Sequence, residues 1–475
     1  MKTKIAIIGA GPGGYVAAVR AAQLGADVTV VERERVGGTC LNWGCIPSKV
    51  MKTTAELFYN IRRAGEFGID IQGPVRPNMR ALMERKKNVI QGQANGIRNL
   101  FKHHHIRYVE GQGVITAPQK LKVAPKNGQP VDILWDKLIL APGTRPIGIP
   151  ALPFDGNRII SSNEALQLDQ VPESILIIGG GVIGCEFAGI FSALGARVTV
   201  VEAMSRLLPL PSVDADCSKV LQREMKKQKI EFLLGYTVEN IEEYPDDLCV
   251  QLIPYGEAKE SGESEKLQIE AKKILVCIGR GPLTNEIGLE TLPVEKDAKG
   301  WILADEKMQT RASGVYAIGD VLGPEKVMLA HVASAEGLIA AENAMGENHR
   351  MNYGVVPSAI FTMPEVADVG LTEAQAGEQG CDYRADRILF RVIGKAQVMG
   401  DIVGEVKIIS ERGSGGLLGV HIVGPRATEL IAEATLALQM KATVNELAAT
   451  IHAHPTLAEI MMEASLKVLD RSLHG

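Results

Sequence analysis

Two stretches of this 475-residue chain repeat one another, and that repeat constrains the fold more than any other feature. Residues 5–32 and 175–202 align without a gap and agree at 15 of 28 positions. Each reads as an apolar strand, a glycine turn, a helix and a second strand that ends on an acid. In the first, Gly9, Gly11 and Gly14 follow the G-x-G-x-x-G spacing, and Glu32 comes 18 residues after Gly14. In the second, Gly179, Gly181 and Gly184 keep the spacing, and Glu202 stands at the same interval. The first glycine of such a set allows a tight turn, the second lets a pyrophosphate approach the backbone, and the third lets helix pack closely on strand. The helix N-terminus favours the anion. The acid can accept hydrogen bonds from a ribose 2′-hydroxyl. Glycine turns also serve plain α/β packing, but here strand, helix and acid all fall where nucleotide binding needs them. Two such units imply an α/β chain with two Rossmann-like domains and two dinucleotide sites. Ala203, Met204 and Ser205 follow the second acid, and although Arg206 is near, no arginine pair is placed for a 2′-phosphate. The second site is therefore expected to favour NAD over NADP.

Between the two units lies Gly37-Gly38-Thr39-Cys40-Leu41-Asn42-Trp43-Gly44-Cys45-Ile46-Pro47-Ser48-Lys49. In an ideal helix, residues five apart are separated by roughly 7.5 Å along the axis. A disulfide needs Cα atoms within roughly 7 Å. Bridging Cys40 and Cys45 therefore requires a distorted backbone. Gly44 is permissive, and Pro47 removes the hydrogen bond that would reach back toward Trp43. Two buried thiols are one reading of the pair; a dithiol that cycles with a disulfide is the other. Zinc is not favoured, because Cys185, Cys217, Cys249, Cys277 and Cys381 are scattered and offer no second ligand pair.

At this length the chain should hold roughly three domains. Its 46% hydrophobic and 23% charged residues are ordinary for a soluble globular protein. A net charge of −5 gives no basic surface for nucleic acid or acidic membranes. Apolar runs are strand-length, so no transmembrane helix is expected. The first strand begins by about Lys4, which leaves no room for a leader. With an odd cysteine count of 7, this points to a reducing, cytoplasmic setting where a disulfide is catalytic rather than structural. Helices are expected to about Ala64, over about Asn78–His103 and over about Ala330–Met345. Short strands are expected over 106–141, with a turn at Lys126-Asn127-Gly128, and the polar run 256–266 reads as a hairpin tip. His103, His104 and His105 suit a helix C-terminus better than a metal, since adjacent residues point in different directions. Asp320 ends an apolar strand, where α/β ligands bind.

From about Met351 the pattern becomes an α+β domain without a nucleotide motif. Strands are expected at Ala359–Phe361, Val366–Gly370, Ile388–Arg391, Gly404–Ser410 and Leu417–Val423, then two helices, about Ala427–Met440 and Thr456–Asp470. A sheet domain of this kind is often an assembly surface. Pro455 pushes His454 out of the helical region. Thr456 and Glu459 match a capping box; Glu459 could instead orient the His454 imidazole as a base.

On these residues the chain resembles the flavin-dependent pyridine nucleotide–disulfide oxidoreductases over essentially its whole length. The resemblance is carried by residues 37–49, both glycine fingerprints, Tyr316-Ala317-Ile318-Gly319-Asp320, Pro364-Glu365-Val366-Ala367 and His452-Ala453-His454-Pro455-Thr456. It implies an FAD-binding domain over 1–150 continued at 279–350, an NAD-binding domain over 151–278 and a dimerisation domain over 351–475. FAD would meet Gly9, Gly11, Gly14, Glu32, Thr39, Lys49, Gly113, Gly143, Asp320 and Ala330. NAD would meet Gly179, Gly181, Gly184, Glu202 and Gly279. Cys40 would exchange with the substrate, and Cys45 would lie against the flavin as the charge-transfer thiolate. Lys49 would sit near the isoalloxazine and pair with Glu186. A homodimer would bring His454 and Glu459 to the partner subunit's Cys40. The implied reaction is NAD-linked oxidation of dihydrolipoyl groups on a lipoyl-bearing carrier protein, from a 2-oxo acid dehydrogenase complex or the glycine cleavage system.

The segment Gly281-Pro282-Leu283-Thr284-Asn285 departs from the Arg-Pro-Asn more common in relatives, and Met363 stands where a small residue is common. Among competing readings, an NADPH-linked glutathione reductase is opposed by Glu202. A mercuric reductase is opposed by the lack of a C-terminal cysteine pair, and a non-catalytic FAD-holding redox sensor by the intact Cys40, Cys45, His454 and Glu459 set.

Overall fold

The architecture comes from a computed structural model that describes residues 2–125, 128–256 and 266–475. It divides into two compact units: Met1–Met51 with Asn78–Ile147 and Gly279–Tyr353, and Lys52–Pro77 with Gly148–Ile278 and Gly354–Gly475. The turn expected at 126–128 and the hairpin tip expected at 256–266 fall largely outside the described residues.

The first unit is built on β1 (Lys4–Ile8), α1 (Pro12–Gln23) and β2 (Asp27–Glu32). Five strands run parallel in the order Val315–Ala317, Lys137–Leu140, β1, β2, Arg107–Ala117. Ile5, Ile7, Leu138, Ile139 and Leu140 are fully buried, as expected where helices cover both faces of a parallel sheet. The strand Arg107–Ala117 serves two partners. Residues 107–110 pair with β2, and 111–117 turn to an antiparallel meander with Lys120–Pro125 and then Val131–Leu134. Helix Ala330–Ala344 packs on α1 at two glycines: a Cβ on Gly337 would lie 2.5 Å from Gly13 O.

In the second unit the parallel order is Glu231–Leu234, Arg197–Glu202, Ser174–Ile178, Lys273–Val276, Ile159–Ile160. An antiparallel sheet of Tyr236–Glu243, Leu248–Pro254 and Leu267–Ala271 accompanies it. The C-terminal sheet is antiparallel, in the order Ser358–Ile360, Glu365–Gly370, Leu417–Gly424, Glu405–Glu411, Tyr383–Leu389. Helices Ala427–Gln439 and Glu459–Val468 cover one face. A buried lysine ties this sheet to helix Ala215–Lys227. Lys407, 5% exposed, meets Asp214 at 3.0 Å, Asp216 at 2.9 Å and the Glu373 carboxylate.

The C-terminal region differs from expectation in three places. Three further helices are present, Glu373–Glu378, Gly394–Met399 and Val444–Ala449. The strand expected at Ile388–Arg391 begins earlier, at Tyr383, and residues 390–392 form a 3₁₀ turn. The last helix starts at Glu459, because the Thr456 hydroxyl donates to Ala453 O instead of capping a helix that begins there. None of the described helices is long and apolar enough to cross a membrane.

Candidate functional site: a thiol pair and two dinucleotide cradles

The stretch 37–49 folds as two helices broken at one residue: α2 (Gly38–Trp43) ends at Gly44, and α3 (Cys45–Arg62) begins directly after it. Gly44 lets the chain fold back, since a Cβ there would already press on Thr39 O at 3.1 Å and on Cys40 Cα at 3.5 Å. Pro47 sits in the first turn of α3, where its missing N–H has no helical partner to lose. Asn42 Nδ2 closes the loop by donating to Val36 O (3.1 Å) and Gly38 O (2.9 Å). Gly37 N–H donates to Ala10 O at 2.8 Å, which fixes the thiol stretch to the first glycine loop.

The two thiols are unbridged and in hydrogen-bond contact. The bond to Cys45 and burial push the Cys40 thiol far above its ordinary value, with Lys49 opposing. Cys45 is the first residue of an 18-residue helix, where the N-terminal dipole favours a thiolate. That asymmetry follows from the break at Gly44, which puts one sulfur at the end of α2 and the other at the start of α3.

The repeat extends to individual hydrogen bonds. Gly9 N–H donates to Val31 O and Gly179 N–H to Val201 O, both at 2.8 Å. Glu32 accepts from Ala10 N (2.8 Å) and Glu34 N (2.8 Å); Glu202 accepts from Gly180 N (2.6 Å) and Met204 N (2.8 Å). Each buried acid thus ties its glycine loop to the end of the second strand. An ionised carboxylate offers about four acceptor sites, so two remain for ribose hydroxyls. A Cβ on Gly14 or Gly184 would stand 2.0 or 1.9 Å from the carbonyl of Gly9 or Gly179, as close helix–strand packing requires. A Cβ on Gly181 would meet nothing within 4 Å, and one on Gly11 only Gly38 Cα at 3.9 Å. Both helices start at these middle glycines with no side-chain cap. Their N–H groups and the open space above them fit a pyrophosphate. Arg206 is turned to structure: one of its terminal nitrogens donates to Leu210 O (3.1 Å) and Val213 O (3.0 Å).

Asp320 lies in the 3₁₀ turn Gly319–Leu322 and accepts from Thr144 Oγ1 at 3.0 Å. Arg280 Nε donates to the same hydroxyl at 2.7 Å and a terminal nitrogen to Thr144 O at 2.9 Å. Burial draws the Arg280 pKa down, and the charges of Asp320 and Cys45 oppose it. Arg280 is thus within electrostatic reach of both. Sequence reasoning missed Thr144 and Arg280 as a pair; the only signal was that each directly follows the glycine closing an apolar strand. Gly143 is left-handed with open space at its Cβ position, while Gly113 packs on Val31 and Leu121. Ala330 opens the helix that ends at Ala344. Gly279, Thr39 and Lys49 also lie in the first unit.

The remaining expected residues lie in the second unit. Glu186, 7% exposed, accepts from Phe361 N at 3.0 Å. His454 is 77% exposed, and its Nδ1 meets Glu459 Oε1 at 2.9 Å. Glu459 Oε2 accepts from Thr456 N at 2.9 Å. The carboxylate therefore makes half of the expected capping box and orients the imidazole as well. Burial opposes ionisation of Glu459, but the His454 and Thr456 bonds hold it below the usual carboxylate range. Among the described residues no cluster of His, Cys, Asp or Glu is placed to hold a metal ion, and His103 and His104 end the helix Met79–His103.

The family model described as pyridine nucleotide-disulphide oxidoreductase matches residues 3–337, and that family's dimerisation domain matches 356–465. A dihydrolipoyl dehydrogenase of Bacillus subtilis (strain 168) is 41% identical over 99% of this chain and 98% of its own length. The mitochondrial dihydrolipoyl dehydrogenase of Pisum sativum is 37% identical over 99% and 92%. Among solved structures, LpdA from Mycobacterium tuberculosis superposes with a TM-score of 0.89 at 28% identity, covering 98% of this chain and 99% of that one. The flavoprotein disulfide reductase RclA from Escherichia coli, as its Cu(II) complex, gives 0.85 at 25%, covering 98% and 100%. With both family models matched in order along it, the chain belongs to the pyridine nucleotide-disulphide oxidoreductases.

Proposed function

We propose that this chain catalyses the dihydrolipoyl dehydrogenase reaction, oxidising dihydrolipoyl groups on a carrier protein and reducing NAD to NADH. The observation that carries the reading is the Cys40–Cys45 pair, held in sulfur contact at the α2–α3 break and tied to a dinucleotide loop. Residues 1–150 and 279–350 form the FAD-binding part, 151–278 the NAD-binding part and 351–475 the dimerisation domain. FAD is held by Gly9, Gly11, Gly14, Glu32, Thr39, Lys49, Gly113, Gly143, Asp320 and Ala330, and NAD by Gly179, Gly181, Gly184 and Glu202. Bound FAD supplies a two-electron acceptor between the dithiol and NAD.

His454 takes the proton of one substrate thiol, with Glu459 fixing the imidazole through Nδ1. The substrate thiolate attacks Cys40 Sγ of the disulfide, and Cys45 leaves as a thiolate. The second substrate sulfur then attacks the substrate sulfur of the mixed disulfide, its proton passing to the departing Cys40 Sγ, which frees the cyclic lipoyl disulfide and leaves Cys40 as a thiol. The helix N-terminus stabilises the Cys45 thiolate, and Arg280 and Lys49 add positive charge around the pair. His454 and Glu459 of the partner subunit serve each Cys40, because their imidazole is exposed on the domain that the family uses for dimerisation. The odd count of seven cysteines suits a reducing cytoplasm, where a disulfide is catalytic rather than structural.

Steady-state turnover of dihydrolipoamide with NAD, set against glutathione disulfide with NADPH, tests the reading. An FAD-loaded dimer with no dihydrolipoamide activity refutes it.

A further inference from the structure

The chemistry above makes no use of Glu336, yet this carboxylate is among the most deeply placed in the first unit. It lies on helix Ala330–Ala344 and is 1% exposed. A buried carboxylate is costly unless its oxygens gain strong partners. Here Oε2 accepts from Gly319 N–H at 2.6 Å, and Oε1 meets the Tyr353 hydroxyl at 2.6 Å. Gly319 has φ +74°, the left-handed region, and directly precedes Asp320. The strand before it ends its pairing where Ile318 N–H donates to Leu140 O. The next N–H along the chain turns into the helix and finds Glu336.

Asp320 is therefore gripped from two directions. Its side chain is held by Thr144, itself held by Arg280, and its backbone is held through Gly319 by Glu336. The same helix also braces the other end of the site. Gly337, the next residue, packs on Gly13 of α1, the helix whose N-terminus fits the pyrophosphate. We propose that Glu336 is a positioning residue of the flavin site, which clamps the Gly319 N–H and so sets Asp320 where the ribityl chain needs an acceptor.

This rests on the FAD reading above. The groups facing the carboxylate are Asp320 on its turn, Lys326 on the turn that follows, and Tyr353, whose ring centre lies 4.8 Å from Lys326 Nζ. Burial pushes Glu336 up to about 7, against the bonds from Tyr353 and Gly319. The ionised, strongly accepting form is thus lost as the pH falls through neutrality.

The test is FAD titration of the flavin-stripped full-length protein, followed by flavin fluorescence, for the wild type, Glu336→Ala and Glu336→Gln. Above neutral pH, Glu336→Ala should bind FAD about tenfold more weakly or worse, the effect of losing one charge-assisted hydrogen bond. Glu336→Gln keeps only a neutral acceptor for Gly319 N–H and should bind at every pH as the protonated wild type does, more weakly than the ionised form but more tightly than Glu336→Ala. Wild-type affinity should fall as the pH drops below about 7, and that of Glu336→Gln should not. Unchanged binding by Glu336→Ala overturns the proposal. So does a Glu336→Gln protein as weak as the alanine variant, or one that keeps the pH transition. If Glu336→Ala fails to fold, the pH profile of Glu336→Gln decides alone. A wild type that binds no FAD at all refutes the flavin reading instead.

Discussion

Gly181 allows a sharp test of the second cradle. Its backbone is extended, at φ −74° and ψ −168°, which alanine adopts without strain. An added Cβ would meet no protein atom within 4 Å. Gly181→Ala should therefore fold normally and even gain about 0.4–1 kcal/mol from the less flexible unfolded chain. The new methyl would fill the space where a pyrophosphate must approach the uncapped helix N-terminus. Losing one charge-assisted backbone–phosphate hydrogen bond removes about 1.5–3 kcal/mol. At about 1.4 kcal/mol per decade, the Kd for NADH should rise about 10- to 150-fold. Gly184→Ala is the contrast, because its Cβ would lie 1.9 Å from Gly179 O and force helix and strand apart. It should lower the melting temperature as well as NADH affinity. Fluorescence titration with NADH, the FAD-to-protein absorbance ratio and a thermal melt separate the two. A Gly181→Ala protein with wild-type melting, full FAD and unchanged NADH affinity would mean that this loop does not hold the pyrophosphate.

Cys40→Ser and Cys45→Ser should each abolish NAD-linked dihydrolipoamide oxidation, while the flavin absorbance of the purified protein persists; turnover in either one would rule out the dithiol relay. His454→Gln should cut that turnover about 10²- to 10⁴-fold with FAD content intact, the usual contribution of a general base; near-normal rates would remove the role. Lys407→Met strands the buried Asp214 carboxylate and should cost about 3–5 kcal/mol in urea unfolding at neutral pH. Burial opposes it, but the Lys407 and Lys219 bonds hold Asp216 at about 2. Its stabilisation is present above the unfolded value near about 4 and lost as the pH falls toward about 2. Lys407→Met should flatten that acid limb, and an unchanged limb in pH-dependent unfolding would count against the cluster.

The short C-terminal helices show where sequence reading fell short. Helices Glu373–Glu378 and Val444–Ala449 are six residues each, too short to show a 3.6-residue period. Their signal was instead a pair of capping boxes, Thr372 with Gln375 and Thr443 with Glu446. The box at Thr456 and Glu459 was visible, but only the structure shows that Glu459 divides its oxygens between Thr456 N and His454.

What the sequence by itself determined is local. The two glycine loops, the acids closing their strands and the break at Gly44 depend on turn and helix geometry within about 30 residues, which spacing encodes directly. Only the tertiary structure decided which partners the buried charges meet. Thr144 reaches Asp320 across 176 positions, Arg280 reaches Thr144 across 136, and Lys407 reaches Asp214 across 193. Sheet order brings such groups together, and no periodicity in the chain records sheet order. Burial then makes each pairing matter, because a charge removed from water must find its partner in whatever strand or helix the fold places beside it.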